Sequence, residues 1–108
     1  MDTCPNSANN QLFDETLKIM GDVWTLRILV LLNDQDCRFC QLERGIEGVN
    51  PVTLTNRLKR LEEAGFLERE EDPTNKQAVT YSLTKKGKGI MPVLREMKTF
   101  SQKYLGSK

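Results

Sequence analysis

The sequence predicts a mainly helical domain carrying one small β-hairpin, an α+β arrangement. Three observations predict it. Apolar residues recur at helical spacing from Leu12 to Leu61, the hydrophobic period drops to two between Phe66 and Leu83, and helical spacing returns from Ile90 to Tyr104. A chain of 108 residues fits a single domain. With 38% apolar and 29% charged residues it has the composition of a soluble globular protein. The longest uninterrupted apolar run, Ile28 to Leu32, is five residues, whereas a membrane span needs about twenty. The first ten residues lack the basic and apolar pattern of an export signal, so a cytoplasmic protein without a membrane partner is expected.

Residues 1–9 are polar, contain Pro5, and are expected to form a flexible arm ahead of a domain over residues 10–108. Asn10 is a candidate N-cap for a helix carrying Phe13, Leu17 and Met20 on one side. Gly21 ends it and Asp22 is placed to cap the next helix, Val23 to about Leu32. That helix is apolar on nearly every side, which predicts the centre of the core, with Trp24 as an anchor. Asn33 to Asp36 form a turn, residues 37–39 suffice only for a bridge of strand, and a brief helix follows from Cys40 to about Gly45. Asn50-Pro51 is a strong helix start, because the Asn side chain caps and proline lacks an N–H that the first turn would leave unpaired anyway. The helix runs to Ala64 and Gly65 closes it. Leu54, Leu58 and Leu61 share one of its faces; Thr53, Asn56, Arg57 and Arg60 share another. Two strands follow, around Leu67 and around Tyr81, joined by a polar loop over residues 72–78 with Pro73 at the second position of a type I turn. Thr84 caps a last helix, Lys85 to about Tyr104, in which Gly87, Gly89 and Pro92 predict a kink or soft first turns.

A short helix and a capped longer helix across a Gly-containing turn form a helix-turn-helix, and a hairpin directly after the second helix is a wing. The predicted architecture is therefore a winged helix-turn-helix. Net charge is only +1, but it is unevenly spread. Residues 37–61 hold five basic and two acidic side chains, residues 62–72 one basic and six acidic, and residues 73–108 eight basic and one acidic. Converging basic segments suit a polyanion. Major-groove recognition needs a slender helix whose first half bears side chains that reach base edges, and residues 51–60 meet this. Arg57 has the fork for a guanine, Asn56 the amide for an adenine, and Thr53 a methyl or hydroxyl for a base. Thr55, Lys59, Arg60, Arg38 and Lys76 are the candidate phosphate contacts.

The order and spacing of several strings carry a resemblance. They are Cys4-Pro5, Gly21-Asp22-Val23-Trp24-Thr25, Arg38-Phe39, Pro51 to Leu58, Leu61 to Arg69, and Tyr81-Ser82-Leu83-Thr84 with Gly87. Together they resemble the HxlR-type winged-helix transcriptional regulators of the MarR-like superfamily. The resemblance implies a homodimer built from the first and last helices on a two-fold DNA operator. The reading helices of such a dimer stand about 34 Å apart. Phe13, Leu17, Met97, Phe100 and Tyr104 then form the dimer seam, although the same residues serve equally as intramolecular core. Two departures stand out. Val23 occupies the place of a customary Lys before the Trp, and the wing offers Pro73, Lys76 and Gln77 in place of a Pro-rich, Arg-containing tip.

Cys4 matches the N-terminal Cys-Pro of the family, and the resemblance implies a thiol that senses quinones, aldehydes or oxidants. Cys37 and Cys40 are not family features, yet a C-x-x-C pair invites redox and metal readings. Cys40 falls near a helix start, where the backbone dipole favours anions; burial as inert core is the competing reading for any of the three. Zinc is poorly served, since the chain has no His and three Cys leave a tetrahedral site one ligand short. No metal, cofactor or catalytic residue is expected, because no nucleophile stands beside a base and no Gly-rich phosphate loop is present. The expected function is sequence-specific regulation of transcription, with a small-molecule effector left unassigned. The alternative is a winged-helix module that docks proteins without reading DNA, which the carboxylates of residues 68–72 keep open.

Overall fold

The structure, a computed structural model, describes the backbone of residues 7–106 and the side chains of residues 10–75 and 78–106. Helix α1 spans Ser7–Met20 and α2 Val23–Asp34. A two-residue strand β1, Cys37–Arg38, leads into α3, Phe39–Gly45, and α4 covers Pro51–Glu63. Strands β2, Leu67–Asp72, and β3, Asn75–Leu83, form the hairpin. The chain finishes with α5, Lys85–Lys88, α6, Met91–Phe100, and a π-helical turn, Ser101–Leu105. The sheet is antiparallel in the order β1-β3-β2, with Cys37 opposite Tyr81 and Leu67 opposite Leu83. This is the predicted winged helix-turn-helix, α3 and α4 forming the helix pair and β2-β3 the wing.

The core gathers one face from each element. Ile28 and Leu29 of α2, Leu42 of α3, Ile46 beyond it, and Leu54 and Leu58 of α4 are fully buried. Leu67 and Leu83 close it from the sheet and Met91 and Leu94 from α6. Each such side chain contributes about 1.5–3 kcal/mol of transfer free energy.

Five expectations change. Residues 7–20 contain neither Gly nor Pro, and the helix turns extend upstream of Asn10, so Ser7–Asn9 belong to α1 and not to an arm. Helix α2 is not buried all round: Val23 is exposed and Leu26, Val30 and Leu31 are half-covered, facing an open groove of about 330 Å³ beside Leu94 and Met97 of α6. Trp24 packs at the margin of the core, its ring beside Gly48, and not at the centre. The loop expected over residues 72–78 shrinks to Pro73-Thr74, because Asp72 pairs with Asn75 and β3 starts there, at the cost of a register irregularity between Glu71 and Asp72. Only the first residue of β2, Leu67, is buried, so the hairpin leaves the body at once.

The fifth change is the last helix, which is broken and not merely kinked. The amide of Gly89 donates to the carbonyls of Lys85 and Lys86, and that of Ile90 to Gly87, which tightens α5 to a stop. Pro92 has no N–H to offer Lys88, and the helix restarts with Val93 and Leu94 donating to Ile90. Downstream, the Gly106 amide reaches back five residues to Ser101 at 2.9 Å, which widens the final turn.

Candidate nucleic-acid interface

Helix α4 is held at both ends by local chemistry. The Asn50 side chain accepts from the Thr53 amide at 2.8 Å. At the other end Gly65 takes φ +86°, which a side chain resists, and lets the Gly65 amide reach Glu62 and the Phe66 amide reach Leu61. Lys86 of α5 then donates to the Ala64 carbonyl at 2.6 Å and lies over the Phe66 ring. A cation there complements the negative end of the helix dipole.

With Leu54, Leu58 and Leu61 buried, the outward face of α4 follows from spacing: Val52, Thr55, Asn56, Lys59 and Arg60 are exposed. This face is rotated from the predicted one. Of the predicted face, Asn56 and Arg60 lie on it; Thr55 and Lys59 join them, while Thr53 and Arg57 are half-buried and Arg57 reaches Asp22 at the start of α2. Val52, 69% exposed, was missed by sequence reasoning. An apolar side chain left in solvent at the second position of a capped helix is the signal that marks it, since such a group suits a thymine methyl.

Arg57 has a partner within the chain. Its Nε donates to Asp22 Oδ2 at 2.7 Å and its Nη2 to Oδ1 at 3.4 Å, with side-chain exposures of 24% and 23% for the two residues. Asp22 also caps α2, accepting from the Thr25 amide at 3.0 Å and the Thr25 hydroxyl at 2.7 Å. The Arg57 hydrogen bond, with those from Thr25, outweighs burial and holds the Asp22 carboxyl below its ordinary value. In this structure the fork that the sequence reading assigned to a guanine is engaged with the Asp22 carboxylate.

The remaining predicted residues are placed unevenly. Arg38 is exposed at the start of α3, its amide donating to Gln41 Oε1 at 2.8 Å, and it shares a surface depression with Glu70, Glu71 and Asp72. Lys76 lies in β3 just past the tip, and its side chain falls outside those described. At the tip the amide and hydroxyl of Thr74 both donate to Asp72, which holds that carboxyl low. Phe13, Leu17, Met97, Phe100 and Tyr104 are all exposed, so they are not intramolecular core. Cys4 lies outside the described residues. Cys37 is buried and Cys40 exposed, and neither is in a disulfide. Burial first, then the charges of Asp36 and Asp34, pushes the Cys37 thiol up, and the thiol donates to the Gln35 carbonyl at 3.4 Å. Among the described residues no cluster of three metal-ligating side chains occurs, and no helix is long and apolar enough to cross a membrane.

A helix pair whose second member presents a capped, polar and basic face, followed by a wing, defines a helix-turn-helix protein of the transcription-regulator class. Comparison with known proteins agrees. An HTH-type transcriptional regulator of Halalkalibacterium halodurans is 40% identical over 86 residues, 79% of this chain and 76% of that protein. A MarR-family transcriptional regulator from Porphyromonas gingivalis superposes with a TM-score of 0.80 at 28% identity, covering 97% of this chain and 96% of that one. The reduced form of the transcriptional regulator YodB from Bacillus subtilis superposes with a TM-score of 0.78 at 27% identity, covering 96% of each chain. YodB has also been solved with quinone bound, with a TM-score of 0.76 at 26% identity over 87% of this chain and 99% of that one. Residues 19–108 match the HxlR-like helix-turn-helix family, and the chain belongs to it as a helix-turn-helix transcriptional regulator.

Proposed function

We propose that the protein binds a two-fold DNA operator as a homodimer in the cytoplasm, α4 of each protomer entering the major groove and the wing lying on flanking DNA. The observation that carries this reading is the exposed face of α4, in which Val52, Thr55, Asn56, Lys59 and Arg60 stand clear of the core on a helix fixed at both ends. Asn56 is the candidate for an adenine edge, Val52 for a thymine methyl, and Thr53 for a base at the margin of the face. Thr55, Lys59, Arg60 and Lys76 are the phosphate contacts, with Arg38 a lesser one because carboxylates surround it. The unpartnered stripe of Phe13, Leu17, Met97, Phe100 and Tyr104 supports the dimer.

The test is selection of binding sites from random duplex DNA, followed by titration across salt concentrations. The expected outcome is a palindromic site and an affinity that falls with a log–log slope of about −0.9 per neutralised phosphate. Asn56→Ala should cost about 1–3 kcal/mol and relax one base position, whereas Lys59→Ala should weaken every sequence alike. No enriched site together with a flat salt response would instead favour the protein-docking reading, which the exposed carboxylates of β2 support. The same titration on quinone-treated protein examines a thiol response. Release of DNA that Cys4→Ser abolishes is the outcome expected if Cys4 is its carrier, and retained binding would remove it from that role.

A further inference from the structure

We infer that Arg57 is a positioning residue and not a base reader: its ion pair with Asp22 locks α4 to the joint between α1 and α2, and so sets the half-site spacing that a dimer accepts. The inference rests on the DNA-binding reading above.

Only Gly21 and Asp22 separate α1 from α2. The Gly21 amide closes α1 by donating to Leu17 at 2.7 Å, and the next residue, Asp22, caps α2. The same carboxylate takes both arms of Arg57 from α4, thirty-five residues on. One residue therefore joins three helices, its backbone following from α1 through Gly21 and its carboxylate holding α2 and α4. Helix α1 carries Phe13 and Leu17 of the exposed apolar stripe, and α4 carries the outward polar face. The covalent and hydrogen-bonded path from seam to reading face runs through Asp22 and Arg57 with no loop between them.

The chemistry suits a lock more than a reader. A planar guanidinium bound at two points fixes the rotation of α4 about its own axis as well as its distance, which a lysine could not do. Reaching a guanine would require Arg57 to leave a half-buried carboxylate whose charge its hydrogen bond holds in place. Arg57 is half-buried and shares its Asp22 acceptor with the buried Thr25, so its guanidinium is engaged at the start of α2.

The experiment separates spacing from base preference. Operators obtained by selection are rebuilt with the half-site separation lengthened or shortened by one base pair, and each is titrated with wild type, Asp22→Asn, Arg57→Lys and Arg57→Ala. Asn ranks with Asp as an N-cap, so Asp22→Asn keeps the start of α2 and removes only the charge of the pair. Wild type should lose about tenfold in affinity on an altered spacing, of the order of a base mismatch. Asp22→Asn and both Arg57 variants should lose that discrimination while keeping wild-type base preference within each half-site. Thermal unfolding of Asp22→Asn and Arg57→Lys confirms that these variants are folded. Relaxed preference at one base position in Arg57→Ala, with spacing discrimination intact in all variants, would return Arg57 to the role of reader. Failure of wild type to select any site would overturn the DNA-binding reading itself, and this inference with it.

Discussion

At the scale of single residues, burial divides groups that look equivalent in the chain. Cys37 and Cys40 form a C-x-x-C pair by spacing, but β1 turns the first into the core and α3 leaves the second in solvent. Burial and the neighbouring Asp36 and Asp34 keep the Cys37 thiol protonated at neutral pH, so it is a poor nucleophile. In a Cys4→Ser background, brief alkylation at neutral pH followed by peptide mapping should modify Cys40 and spare Cys37 until denaturant is added. Equal labelling of both would contradict the burial of β1. The same scale explains why part of the site was illegible beforehand. Asn56 and Arg60 could be placed from spacing alone, because the buried Leu54, Leu58 and Leu61 define the opposite side of α4. Arg57 could not, since its partner Asp22 is thirty-five residues away and no local pattern joins them.

At the scale of elements, the legible boundaries are those whose signals are local. Asn50-Pro51 and Gly65 bound α4 as expected, and Asp22 and Thr84 cap the helices predicted for them. Boundaries set by pairing were harder. Lys76 and Gln77 resemble loop residues by polarity, yet β3 spans them: Asn75 pairs with Asp72 and Val79 with Glu71, and residues 76–78 take up the register irregularity between those two pairings. The end of the last helix depended on two breakers acting together, Gly89 and Pro92. Helix α5 itself is a wedge. Thr84 accepts from the Gly87 amide at 3.1 Å while its hydroxyl bonds the Gly65 carbonyl, and Gly87 is buried against the carbonyl of Phe66. A β-carbon at Gly87 would collide with that carbonyl, which is backbone and cannot swing aside. Gly87→Ala should therefore destabilise the domain by about 1–3 kcal/mol. A lower urea midpoint with an unchanged slope is the expected signature, and an unchanged midpoint would show that the wedge yields freely.

At the scale of the whole molecule, the protomer is longer than its core requires. Its radius of gyration is 16.2 Å, against about 13 Å for a compact chain of this length. The terminal helices leave large apolar side chains in solvent, Phe13, Phe100 and Tyr104 being 61%, 55% and 62% exposed. Phe100 and Tyr104 cover each other in part, with ring centroids 5.1 Å apart. Exposed apolar stripes of this kind mark surfaces for another macromolecule, and the homodimer proposed above would cover this one. Sedimentation of the wild type should give about twice the protomer mass of 12.4 kDa. Phe100→Asp should give the protomer mass with unchanged helix content, because that side chain lies outside the core. A wild type that sediments as a protomer would refute the seam.

The terminal helices join the winged body through two residues each, Gly21-Asp22 after α1 and Gly89-Ile90 before α6. Connections this short hold little slack chain, and Met91 and Leu94 sink α6 into the core besides. Phe13 and Leu17 on one side and Met97 and Phe100 on the other are thus carried on helices with short tethers to the winged body, so the apolar stripe has a built-in address on the molecule and does not trail on a linker.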